Sequence, residues 1–296
     1  MIKRILSICL LLSSINAQAD NAFSEIPCTL NDAGLITNVR GFGSGDENLC
    51  DFKAAELKLK VYKVALCNQN IIFSNSAQPN LSSCSYIFNS DSASEITVNT
   101  NAAFNLDKLT KPATGTYPYI LLVTSNSVKI KAQAHFNSSR IAEDSLGGSG
   151  AYCWTDGSTL TYDGGPTIDG GPTIVGNGLS CGSSVNSTSY GFNELIWASN
   201  GTSDPTEPVP GGDSVRSLLT SNLLLTDDAA NTARTAYVYS LNSPITIASN
   251  TSALKMSIDI NTGASLVFDD TSSGKIQWIE DAPFAYTIEP VNESIF

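Results

Sequence analysis

Residues 152–169 hold the residue types best suited to chemistry: Tyr152-Cys153-Trp154-Thr155-Asp156, then Tyr162, Asp163 and Asp169. In an extended chain Cys153 points one way while Tyr152, Trp154 and Asp156 share the opposite face. Flat aromatic rings beside carboxylates suit stacking on a sugar face and hydrogen bonding to its hydroxyls. Tyr152, Trp154, Asp156 and Tyr162 are therefore the expected glycan contacts. Asp156, Asp163 and Asp169, with backbone carbonyls, supply oxygen ligands of the kind Ca²⁺ takes. Their spacing matches neither an EF-hand loop nor the glycine-rich nonapeptide repeat. The competing reading is structural, with Tyr152 and Trp154 covering a second core layer or a neighbouring domain.

Catalytic constellations are sparse. The single histidine, His135, falls in strand register on a polar face with Lys129, Lys131 and Gln133. Ser–His–Asp or Cys–His catalysis needs the imidazole in a cleft beside its nucleophile, so histidine-dependent hydrolysis is not expected. No nucleophile elbow, P-loop or dinucleotide fingerprint occurs. Gly41-Phe42-Gly43-Ser44-Gly45 reads as a turn, because it does not open a helix after a strand. A two-carboxylate glycosidase remains a third reading, since 28 acidic residues bring some pair close by chance, but nothing marks one pair above the others.

The elements that hold these residues follow from the cysteines. Residues 1–19 read as a secretory signal peptide: Lys3 and Arg4, an apolar run from Ile5 to Ile15, and Ala17-Gln18-Ala19 before Asp20. Of the seven cysteines, Cys9 lies in this leader, which leaves an even number for a compartment where disulfides persist. Closure between neighbours in sequence favours Cys28–Cys50, Cys67–Cys84 and Cys153–Cys181. With no CxxC and one histidine, the thiols do not read as a zinc site.

Charged residues make up 15 % of the chain, against a usual figure of about 25 %, and Ser, Thr and Asn take their place. Such a chain favours strands and turns over helices and leaves sheet edges lightly guarded. The formal charge is −12 with no basic cluster, which argues against nucleic acid and anionic lipid as partners. No segment beyond the leader is long and apolar enough for a transmembrane helix.

Alternation marks the strands. Leu57, Leu59 and Val61 share one face opposite Lys58 and Lys60, and beyond Tyr62 both faces turn apolar, as at a bulge or on entry to a more buried region. Val128, Ile130, Ala132, Ala134 and Phe136 repeat the pattern. Residues 117–124 form a further apolar run, and 71–73, 85–88 and 95–99 are weaker candidates. Short strands are expected at 236–241, 244–248, 254–260, 265–268, 275–279 and 284–288. Residues 215–225 fit helix and strand equally well. The tandem Asp163-Gly164-Gly165-Pro166-Thr167-Ile168 and Asp169-Gly170-Gly171-Pro172-Thr173-Ile174 reads as a pair of turns inside the Cys153–Cys181 bracket.

The expected fold is all-β, an immunoglobulin-like or jelly-roll type β-sandwich stapled by three disulfides. A disulfide-containing domain spans 20–200, a Pro/Gly-rich linker or loop 201–213, and a cysteine-free sandwich 214–296; the alternative is one continuous sandwich with that segment as a surface loop. The expected function is that of an exported, non-catalytic structural or surface-assembly subunit. It would act outside the cell, on its surface or in the periplasm, through self-association or other envelope proteins, with no cofactor unless Ca²⁺. The alternative is a glycan-binding adhesin or carbohydrate-binding module using the patch around Tyr152–Asp169.

Overall fold

The computed structural model describes residues 27–38, 49–99, 109–142, 147–163, 173–176, 178–198, 207–209, 212–226, 231–268, 275–282 and 285–292. Among them seventeen strands and no α-helix occur. The first five are β1 (Leu49–Phe52), β2 (Glu56–Cys67), β3 (Cys84–Asn99), β4 (Gly115–Lys131) and β5 (Gln133–Ala142). Next come β6 (Ser149–Trp154), β7 (Thr159–Asp163), β8 (Thr173–Val175), β9 (Ser180–Gly182) and β10 (Asn193–Ala198). β11 (Glu207–Val209), β12 (Gly212–Leu219) and β13 (Arg234–Ile247) follow. The last are β14 (Thr251–Asp259), β15 (Ala264–Phe268), β16 (Lys275–Asp281) and β17 (Ala285–Asn292).

These strands form three sheets. A six-stranded sheet runs β1-β15-β16-β5-β6-β9, and a ribbon pairs β14 with β17. A nine-stranded sheet runs β11-β12-β13-β4-β10-β7-β8, with β2 paired to both β3 and β4. The β5–β16 and β7–β10 ladders are parallel, which makes both larger sheets mixed. Inward residues of all three sheets meet in one core, among them Leu57, Leu59, Ile130, Phe136, Leu195, Leu266 and Ile288. Each fully buried Leu, Ile or Phe there contributes about 2–3 kcal/mol of transfer free energy.

The alternation in β2 behaves as expected: Leu57, Leu59 and Val61 are buried and Lys60 is exposed. Beyond Tyr62 the register with β3 shifts between Val61 and Lys63, and both faces become covered. Val64 and Leu66 face the main core, while Ala65 and Cys67 join a second one with Ile71, Phe73, Leu121, Val123 and Val238. Residues 71–73 are thus loop and not a strand, with Ile71 and Phe73 filling this core and Ile72 between them exposed. Residues 215–219 lie within β12 and lead into a turn at 220–224.

Two further expectations need correction. The alternating run 128–136 is two strands, because the chain leaves the nine-stranded sheet at Lys131 and enters the six-stranded sheet at Gln133. Val128, Ile130, Ala132, Ala134 and Phe136 still all point inward, since both sheets face the same core. Alternation reports which side is buried, and a chain that crosses between layers around one core keeps that side. His135 therefore does not share a sheet with Lys129 and Lys131.

The second correction concerns the boundary near residue 200. β13 pairs with β4 along Arg234–Ile247, β15 with β1, and β16 with β5. Strands from 214–296 complete sheets begun by 20–200 and share their core, so this is the arrangement of a continuous layered structure. Within 201–213, Pro208 lies opposite Asp213 and Val209 opposite Gly212 in the last strand pair of the nine-stranded sheet, an edge position where proline is tolerated, and 201–206, 210 and 211 lie outside the described residues.

All three disulfides join neighbours in sequence: Cys28–Cys50, Cys67–Cys84 and Cys153–Cys181. The second and third link residues directly opposite each other, on β2 with β3 and on β6 with β9. Such bridges persist in an oxidising compartment. No helix among the described residues is long and apolar enough to cross a membrane. The expected leader lies outside the described residues.

Candidate functional site

The expected glycan contacts are separated by the fold. Tyr152 is half-buried, and its ring stacks on the cross-strand ring of His135 with centroids 3.9 Å apart and planes 14° apart. Trp154 is 4 % exposed, so its indole offers no open face to a sugar. That ring lies against Gly182, where a Cβ would come within 3.2 Å of its Cη2 atom, and its Nε1 donates to Ser189 Oγ at 3.1 Å. The expected exposure of Trp154 fails because the segment beyond Cys181 folds back over the outer side of β6.

Asp156 is also committed to local structure. Its Oδ1 accepts hydrogen bonds from Ser158 N at 3.1 Å and Ser158 Oγ at 2.5 Å, closing a short turn. The backbone of Tyr162 lies opposite Trp197 and that of Asp163 opposite Ala198, in the parallel β7–β10 ladder. The Tyr162 and Asp163 side chains and the whole of Asp169 lie outside the described residues, and so does most of the tandem turn. Among the described residues no three His, Cys, Asp or Glu side chains converge as a metal site.

What holds this corner together is Asn193, which nothing in an asparagine-rich sequence sets apart. It is fully buried at the start of β10. Its Oδ1 accepts from the backbone N–H groups of Asp156, Gly157 and Ser158 at 3.1, 3.2 and 3.2 Å. Its Nδ2 donates to Gly178 O at 2.7 Å and Ile279 O at 3.4 Å, tying β10 to β16 across the layers. Thr155, equally buried, receives a bond from Ala132 N at 3.2 Å at the point where the chain changes sheet. Its Oγ1 donates to Gly191 O at 2.6 Å. Buried polar groups satisfied in this way make a rigid corner, since leaving any of them unpaired costs more than the bond itself contributes.

The corner in turn positions two aromatic rings on the outer face of the nine-stranded sheet. Gly191 N donates back to Thr155 O at 3.1 Å, and a Cβ at Gly191 would lie 3.1 Å from Gly157 Cα. Glycine between Tyr190 and Phe192 thus allows the backbones to touch. Asn186 closes the preceding turn, its Oδ1 accepting from Thr188 N at 3.1 Å and its backbone carbonyl from Tyr190 N at 3.0 Å. The Lys131 ammonium sits 4.4 Å from the Tyr190 centroid and 5.8 Å from that of Phe192, and Lys58 sits 4.5 Å from Phe192. The two lysines at the rings are ion-paired, Lys131 with Glu56 at 3.9 Å and Lys58 with Glu95 at 4.0 Å, and Lys129 pairs with Glu194 at 3.7 Å across β4 and β10. Burial, and then the nearby Glu56 carboxylate, push the Tyr190 phenol above its ordinary pKa.

Strand β10 and this face were missed in the sequence, although a period-2 signal was there. Asn193 and Leu195 point inward, which turns Phe192, Glu194 and Ile196 outward. A separate buried charge is Arg140, whose Nη2 donates to Asn38 O at 2.7 Å while its guanidinium lies 5.1 Å from the Phe136 ring. Compared with known proteins, the chain matches no family model, no curated protein and no solved structure.

Proposed function

We propose that this protein is an exported, non-catalytic structural or surface-assembly subunit of the cell envelope or extracellular space. It associates with copies of itself or with other envelope proteins through its sheets. The observation that carries this reading is β3. It runs for 16 residues and, among the described residues, pairs with β2 alone. It contains no Lys, Arg or Pro, and its edge protection is limited to Asp91, Glu95 and a register shift between Asn89 and Ser94. Near its start Ile87 O accepts from Thr110 N at 2.7 Å. The three disulfides support a role in an exposed, oxidising setting, and His135 packed on Tyr152 supports a structural use of the single imidazole.

The test is the state of the purified, processed protein. Light scattering across a concentration series and electron microscopy are expected to reveal oligomers or filaments, and cell fractionation a surface-attached form. A strictly monomeric species at high concentration, found only free in the periplasmic fraction, overturns the proposal.

A further inference from the structure

We infer that the outer face of the nine-stranded sheet carries a binding platform for a neutral oligosaccharide, built on Tyr190 and Phe192. Neither ring belongs to either apolar core or packs on it. Rings left out of the core and held over ammonium groups are not explained by the burial of apolar surface. Lys131 reaches towards both rings and Lys58 towards Phe192, so the two rings lie side by side across β4 and β2. The C–H groups on the apolar face of a pyranose match the negative face of such rings.

The charges around the rings select the ligand. Both lysines at the rings have a carboxylate partner, as does Lys129 on the same strand as Lys131, so the local field is close to balanced and does not favour an anionic chain. The same pairs are loose, at 3.7–4.0 Å, well beyond the 2.7–3.2 Å of a good N–H···O bond. Their ammonium protons and carboxylate lone pairs are open to hydroxyl groups, which can donate to one member and accept from the other. A ligand with an apolar face and a rim of hydroxyls fits both features.

The platform is formed before anything binds. Gly191 N donates to Thr155 O and Thr155 Oγ1 to Gly191 O, Trp154 Nε1 holds Ser189, and the Cys153–Cys181 bridge fixes the strands beneath. Preorganisation removes much of the ordering cost that limits weak carbohydrate binding. This site lies apart from the expected Tyr152–Trp154 patch, and it does not depend on whether copies of the chain associate.

The processed full chain is to be titrated with cellohexaose, xylohexaose, mannohexaose and chitohexaose by calorimetry and by NMR. Saturable binding to at least one is expected. Phe192→Ala and Tyr190→Ala are each expected to weaken it by about tenfold or more, with the melting temperature within about 4 °C of the parent. Phe192→Tyr should keep binding, and Phe192→Leu, which retains apolar bulk without a ring, should lose it; this pair decides the matter if an alanine variant folds poorly. Silence across the panel at millimolar concentration, binding untouched by these substitutions, or binding to acidic polysaccharide alone overturns the inference.

Discussion

Trp154 on β6 and the pair Tyr190 and Phe192 ahead of β10 are aromatic groups that the fold uses in opposite ways. Around Trp154 the polar partners are backbone groups and short side chains, packed at hydrogen-bonding distance out of water. Around Tyr190 and Phe192 the partners are long charged side chains at ion-pair distances, half open to solvent. The first arrangement makes rigidity, because each buried group is already satisfied. The second leaves capacity for a partner, because its groups are only loosely occupied. Residue type alone does not separate these uses; the distance and exposure of the polar neighbours do.

The comparison breaks most readily at Trp154. Replacing it by alanine removes a buried indole and its bond to Ser189, and a loss of about 3–5 kcal/mol in denaturant unfolding is expected. A loss below about 1 kcal/mol would mean that the indole contributes little to the packing of this corner.

Alkaline titration sharpens the contrast by separating core tyrosines from the surface one. Tyr239 and Tyr286 stack at 6.0 Å between β13 and β17, and burial holds both phenols neutral well above the ordinary tyrosine range. In the unfolded chain they lose protons near the ordinary value of about 10, while the folded chain keeps them. Their contribution is therefore intact below about pH 10 and is lost above it, by up to about 1.4 kcal/mol per pH unit for each group. Tyr190 is raised too, but it is half-buried, so its phenolate should form in the folded protein. Unfolding free energies and phenolate absorbance, followed from pH 9 upward, check both halves. Stability that stays flat to pH 12 would contradict the core assignment.

The smallest effect is expected at the platform itself. Phe192→Ala removes ring contacts with two lysines and no core packing, so its cost in stability should stay below about 1 kcal/mol. A cost like that of Trp154 would place the ring in the structural class and remove the contrast.

Much of the architecture was legible in residue order. The alternation at 57–61 marks an inward face because a half-buried strand has a period of two, and Leu57, Leu59 and Val61 are buried accordingly. Closure between near neighbours selected the three disulfides, two of which turned out to be directly cross-strand. The candidate surface was less legible. Trp154 and Phe192 are both aromatics beside an inward residue, and only the segment folding over β6 buries one of them. Asn193 is one asparagine among many, and its importance rests on the three N–H groups the turn at 156–158 aims at it.

Local chemistry thus determined strand character, the buried side of each strand and the pairing of the thiols, because all three depend on periodicity and short loops. Sheet membership, the crossing at Ala132 between layers and the joining of both chain halves around one core were decided only by tertiary structure. Those depend on contacts between residues more than 100 positions apart, as between Thr124 and Thr235 or Cys50 and Leu266, which no local pattern encodes.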